Sequence, residues 1–198
     1  MIETQANPIV SSYLKKAEAE KNQKHFSKAI KLCEMALMED LHCHNAYEEI
    51  ADNYINLNHV NRATKAAKRA LELNPESANA YFLLGFIAIK EYAWKKAIMY
   101  LEESNRLLPN HSEILRNLGW AVYNAVDQRR GLGLLERAIA LAPQDTFIHF
   151  DLAICYINEK EFDKAIVIFE KVITLEPEND KAKQYLHIAQ SLKNRQVA

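Results

Sequence analysis

Four prolines, Pro75, Pro109, Pro143 and Pro177, recur at intervals of 34 residues. Three equal gaps are the mark of a repeating unit, and repetition constrains a fold more than any single residue. Counting back from each proline, units begin at His44, Ala78, Ser112 and Thr146, with one more at Val10. Position eight of the five units reads Ala17, Ala51, Gly85, Gly119 and Ala153, and position twenty reads Ala29, Ala63, Ala97, Gly131 and Ala165. All ten are small. Small residues at fixed spacing let two helices close to about 8–10 Å. Position twenty-seven is nearly as restricted: Ala36, Ala70, Ser104, Ala138 and Val172.

Each proline forbids continuation of a helix. The residues after it, such as Glu76-Ser77 and Gln144-Asp145-Thr146, are small and polar and suit the start of the next helix. Each unit therefore reads as two antiparallel helices of three to four turns. With only 4 Gly and 5 Pro in 198 residues, the chain has too few turn-formers for a β fold. Residues 180–194 continue as one more helix, with Ala182, Tyr185, Leu186, Ala189 and Leu192 on one face. That helix is expected to cap the array, with residues 1–9 as a mobile tail.

The pattern resembles the tetratricopeptide repeat. Beside the small residues, it shows Leu84-Gly85 and Leu118-Gly119 at positions seven and eight, and Tyr13, Tyr47 and Tyr81 at position four. The resemblance runs from Val10 to Asn179 and divides into units 10–43, 44–77, 78–111, 112–145 and 146–179. It implies an all-α, right-handed solenoid of antiparallel helix pairs. The first unit departs most, with Leu41 in the proline position and polar Lys16 and Glu20 at positions seven and eleven.

The resemblance also implies that first helices line a concave groove, and that the family serves as a non-catalytic scaffold for protein partners. In the second unit the groove positions hold an acidic group, Glu48, Glu49 and Asp52. In units three to five they turn apolar and aromatic: Phe82, Phe86 and Ile89, then Arg116, Asn117, Trp120 and Tyr123, then Phe147, Phe150, Asp151 and Ile154. Aromatic anchors with polar neighbours match the composition of binding hot spots. A hydrophobic or amphipathic partner segment is expected there. The groove is also open to a second copy of the chain, or to the chain's own Ile2, Ile9 and Val10. Two other readings are a chaperone for apolar segments of secreted proteins and an RNA-binding helical repeat. The co-chaperone carboxylate clamp of this family needs Lys and Asn at positions five and nine. Leu14 and Glu18, Glu48 and Asp52, or Phe82 and Phe86 stand there instead, so a carboxylate-clamp chaperone tail is not expected.

Other chemistry finds little footing. The net charge of −1 gives no basic surplus for phosphates, so nucleic acid is not expected. His42-Cys43-His44 are adjacent residues in a predicted turn and cannot easily converge on one ion. Cys33 and Cys155 fall in helices as packing residues, and three cysteines do not read as a disulfide framework. Gly131-x-Gly133 lacks the strand and third glycine of a dinucleotide site. No enzyme activity, cofactor or metal is expected. A basic run, Arg62, Lys65, Lys68 and Arg69, reads as a solvated face. No apolar run is long enough to cross a bilayer, and a cytoplasmic protein without a membrane partner is expected.

Overall fold

A computed structural model describes residues 7–125 and 127–197. The described residues form eleven helices and no strand. They fall into two compact units, Met1–Leu108 and Pro109–Ala198. The first contains α1 (Pro8–Asn22), α2 (Phe26–Glu39), α3 (His44–Asn56), α4 (Val60–Leu73), α5 (Ala78–Lys90) and α6 (Trp94–Leu107). The second contains α7 (Ser112–Ala125), α8 (Gln128–Leu141), α9 (Thr146–Asn158), α10 (Phe162–Leu175) and α11 (Asp180–Val197).

The small residues sit where the two helices of each pair touch. Ala17 and Ala29, Ala51 and Ala63, and Ala153 and Ala165 have no exposed surface. A Cβ on Gly85 would stand 2.5 Å from Leu101 Cγ, so the absent side chain is what admits the leucine. Gly131 is tighter still. Its Cβ would fall 2.6 Å from the backbone nitrogen of Tyr123, which cannot swing aside as a side chain can. Gly133, two residues on, faces open space.

Two kinds of turn join the helices. First helices end on a residue in the left-handed region: Lys24, Asn58, Tyr92 and Lys160, with φ of 62°, 58°, 56° and 61°. The following amide then bonds back across the helix end, as from His25 to Glu20 and from Ala93 to Ala88. Second helices end on an extended residue before proline, such as Asn74 at φ −135° and Glu176 at φ −132°. Asp40 takes the same conformation, φ −149°, although Leu41 follows it. Its carboxylate accepts from the His42 amide at 2.8 Å, the side-chain turn that Asn74 also makes to the Glu76 amide across Pro75, so the turn forms without the ring. Ser77, Asp145 and Asn179 cap α5, α9 and α11.

Two boundaries differ from the sequence reading. Pro8 and Ile9, expected in the tail, form the first turn of α1, because Asn7 caps that helix and proline suits its first position. Residues 1–6, with Ile2, lie outside the described residues. The last helix runs to Val197, beyond the Asn194 expected. Ala182 and Ala189 on its inner face are buried, with Tyr185 and Leu186 half-buried against Phe169 and Val172.

Gly131→Ala is expected to cost about 1–2 kcal/mol of stability, since the backbone clash outweighs the better helix propensity of alanine. Gly133→Ala is expected to gain about 0.5–1 kcal/mol. Urea unfolding of both variants checks the contrast.

Candidate functional site

The apolar first helices occupy both units, and each is described in its own unit. In Met1–Leu108, α5 carries no charge before its last residue. Leu83, Leu84 and Ile87 are buried. Phe82 and Phe86 are half-buried with stacked rings, their centroids 6.3 Å apart, and Ile89 is half-buried one turn on. Both rings also pack against the core of this unit. They are less open than the sequence implied, because that core covers part of each ring.

The acidic group of α3 requires a correction. Glu48 is buried and is not a surface charge. Its carboxylate accepts from Ser77 Oγ at 2.6 Å and Asn79 Nδ2 at 2.9 Å, which ties α3 to the start of α5. Glu49 and Asp52 both accept from Lys21 Nζ of α1, at 2.7 and 2.9 Å. One cation between two carboxylates raises the Lys21 pKa against the opposing effect of its own burial. The three acids hold successive first helices together, through one lysine and two neutral donors.

In Pro109–Ala198 two further expected residues are structural. Asn117 is buried and its amide donates to the Glu113 carbonyl at 2.9 Å. Tyr123 is buried, and its hydroxyl donates to Glu159 Oε1 at 2.8 Å with the Cys155 carbonyl 3.1 Å away. Position alone placed both side chains in a groove, but Tyr123 reaches across to α9 and Asn117 bonds back onto its own helix. Trp120 and Ile154 are half-buried against the core.

The remaining residues of this unit do converge. Arg116 Nε donates to Asp151 Oδ2 at 2.6 Å, and its guanidinium stands 5.2 Å over the Phe147 ring. Phe150 packs edge-on against Phe169 and Tyr185, at 5.4 and 5.2 Å, while Lys181 of α11 stands 4.6 Å over its ring. Phe147 is 67% exposed. These side chains line a cavity of about 150 Å³, closed by Thr146 and Glu176. Lys181 was absent from the residues picked by sequence. It sits at position two of the helix after the last repeat, which is a groove position, and that was its one signal. A larger, shallower apolar pocket of about 380 Å³ lies between α9 and α10, lined by Leu152, Tyr156, Val167 and Ile168.

Burial pushes the Asp151 carboxyl above the ordinary carboxylate range, and Arg116 opposes that rise. Burial likewise raises the thiols of Cys33 and Cys155 to about 12, so both are poor nucleophiles at neutral pH. No group of three or more His, Cys, Asp or Glu side chains among the described residues could hold a metal ion. No helix among them is long and apolar enough to cross a membrane.

Arg116→Ala leaves Asp151 with only the more distant Lys181 against its charge. The variant is expected to lose about 1–3 kcal/mol at pH 7. A carboxyl with a raised folded pKa destabilises the fold as pH climbs through that pKa, and removing the arginine raises it further. The loss is therefore expected to be smaller at acidic pH, where the carboxyl takes up its proton, than at pH 7. Thermal unfolding at both pH values checks the sign.

The comparisons agree with this geometry. Residues 49–109 and 129–187 each match a tetratricopeptide repeat profile, and together they cover more than half of the chain. No curated protein has a sequence that matches. Among solved structures, a thermophilic TPR protein of Thermus thermophilus superposes with a TM-score of 0.79 at 19% identity, over 91% of this chain and 98% of that one. YrrB, a TPR protein with an unusual peptide-binding site, gives 0.64 at 20% identity, over 87% and 89%. PilF of Pseudomonas aeruginosa gives 0.77 at 16% identity, over 88% and 80%. The chain belongs to the tetratricopeptide repeat family, whose helix pairs generally serve protein–protein interaction.

Proposed function

We propose that this chain is a non-catalytic adaptor that holds a hydrophobic or amphipathic segment of a partner protein on its first helices. The observation that carries the reading is Phe147. A phenylalanine two-thirds exposed, beneath a guanidinium and beside a cavity, has little reason to stand there for folding alone. Arg116, Trp120, Phe150, Asp151 and Ile154 would frame the partner in the same unit. Phe82, Phe86 and Ile89 offer a second apolar strip in the first unit. The peptide-binding site of YrrB on a similar fold supports the reading. The three free cysteines fit a reducing compartment such as the cytoplasm.

An aromatic anchor is worth about 1.5–3 kcal/mol when fully covered, and ordering the bound segment takes back much of the total. Affinities in the micromolar range are therefore expected. The test is an array of immobilised amphipathic peptides, each bound peptide then titrated in solution. Phe147→Ala with Trp120→Ala, and separately Phe82→Ala with Phe86→Ala, are expected to weaken binding about tenfold or more. Unchanged affinity in both double variants rejects the reading. Concentration-dependent dimerisation abolished by the same changes would assign these surfaces to a second copy of the chain.

A further inference from the structure

The first unit separates its charge between two edges. α1 and α2, α3 and α4, and α5 and α6 are each joined by three residues, so each pair is antiparallel. Successive first helices contact one another, α1 with α3 and α3 with α5. The three first-to-second turns therefore lie along one edge, and the second-to-first turns along the other. The stretches 20–31, 54–65 and 88–99, which share one register around the first kind of turn, hold nine Lys or Arg and two Glu. The stretches 34–45, 68–79 and 102–108, toward the other edge, hold three Lys or Arg and seven Asp or Glu. A chain of net charge −1 thus carries a strongly basic edge.

Most of that charge is unspent. Lys21 is held by Glu49 and Asp52, Lys28 lies 3.8 Å from Glu20, and Arg62 stands over the Tyr54 ring. Lys24, Lys31, Lys65, Lys90, Lys95 and Lys96 are exposed and have no ion pair among the described residues. The first turns of α2, α4 and α6 contain no acidic residue, and none of their caps makes a side-chain hydrogen bond. Lys28, Arg62, Lys95 and Lys96 thus add to the positive ends of these helices, an arrangement the helix dipole disfavours.

The corner between α5 and α6 adds a second feature. Tyr92 is 76% exposed and in the left-handed region, φ 56°, a poor conformation for a bulky side chain. It meets Trp94 edge to face, ring centroids 5.6 Å apart, with Lys90, Lys95 and Lys96 around it. Tyrosine and tryptophan beside lysines are the residues favoured at a bilayer's interface.

We propose that this edge docks peripherally on an anionic lipid surface, with the Tyr92–Trp94 corner entering the headgroup layer. The recognised chemistry is a layer of lipid phosphates and carboxylates. Three considerations favour it over a peptide or a nucleic acid. The cations sit mostly at turns and helix starts, and only Arg62 lines a pocket there, a shallow one. They are lysines with a single arginine, Arg62, which suits diffuse attraction better than bidentate contacts. The exposed Tyr92, backed by the half-buried Trp94, stands at a turn, where an amphipathic ring can enter an interface. This face is separate from the first-helix surfaces that would hold a peptide, so either can fail alone.

The test is co-sedimentation of the whole chain with two kinds of vesicle. One is phosphatidylcholine alone, and the other contains about one-third phosphatidylserine. Binding to the anionic vesicles is expected to be at least tenfold tighter and to vanish at about 0.5 M salt. Each cation contributes about a fivefold change. Lys95→Gln with Lys96→Gln is expected to reduce binding about twentyfold, and Lys95→Glu with Lys96→Glu by more. Tyr92→Ser is expected to reduce it several-fold, while Arg106→Glu on the opposite edge leaves it unchanged. Circular dichroism verifies that each variant is folded. Equal binding to the two vesicles, no binding to either, or full binding by the folded Lys95→Glu, Lys96→Glu variant would overturn the proposal. Tighter binding to polyuridylate than to anionic vesicles at the same salt would overturn it in favour of nucleic acid.

Discussion

Everything in this fold rests on two helices approaching through residues with almost no side chain. Ala17 on Ala29 and Ala153 on Ala165 set the spacing of a pair, and large residues such as Leu101, Leu135 and Phe169 then fill the space beside the contact. The constraint is one-sided. A larger residue at the contact cannot be absorbed where the neighbour is backbone, as at Gly131 beside Tyr123. It could be absorbed in part where the neighbour is a leucine tip. The same geometry repeated at constant interval is what makes the pairs stack.

Stacking then decides what becomes of the polar residues. Glu48, Glu49 and Asp52 look like a surface patch on one helix viewed alone. With α1 and α5 on either side, they become acceptors for Lys21, Ser77 and Asn79. Arg116 and Asp151 form the corresponding link between α7 and α9 in the second unit. There the link leaves the Phe147 ring outside, under the guanidinium. A polar residue at a first-helix position can thus serve the next repeat or a partner, and its distance to the neighbouring helix determines which.

Stacking also adds charges that are far apart in sequence. Lys28, Arg62 and Lys96 belong to three different repeats, 34 residues apart in sequence. Parallel placement of α2, α4 and α6 gathers their first turns on one edge. Positive charge concentrates there while the total stays near zero. Net charge therefore does not report how charge is distributed over the surface.

The helices, their length, their small contact positions and the proline-led turns were all legible in sequence, because each depends on residues close in the chain or repeated at a fixed step. The family followed from the same spacing. The burial of Tyr123, the bonding of the α3 acids to α1 and α5, and the cover that α11 gives Phe150 were not legible. Each depends on a side chain from a helix about a repeat away, and position within a repeat does not say how far that helix reaches. Leu41 shows the boundary between the two. Its departure from proline was plain in the sequence, but only the folded turn showed that Asp40 keeps the same conformation and side-chain hydrogen bond without the ring. Local periodicity determined the elements, and long-range contact decided which polar and aromatic groups were left for a partner.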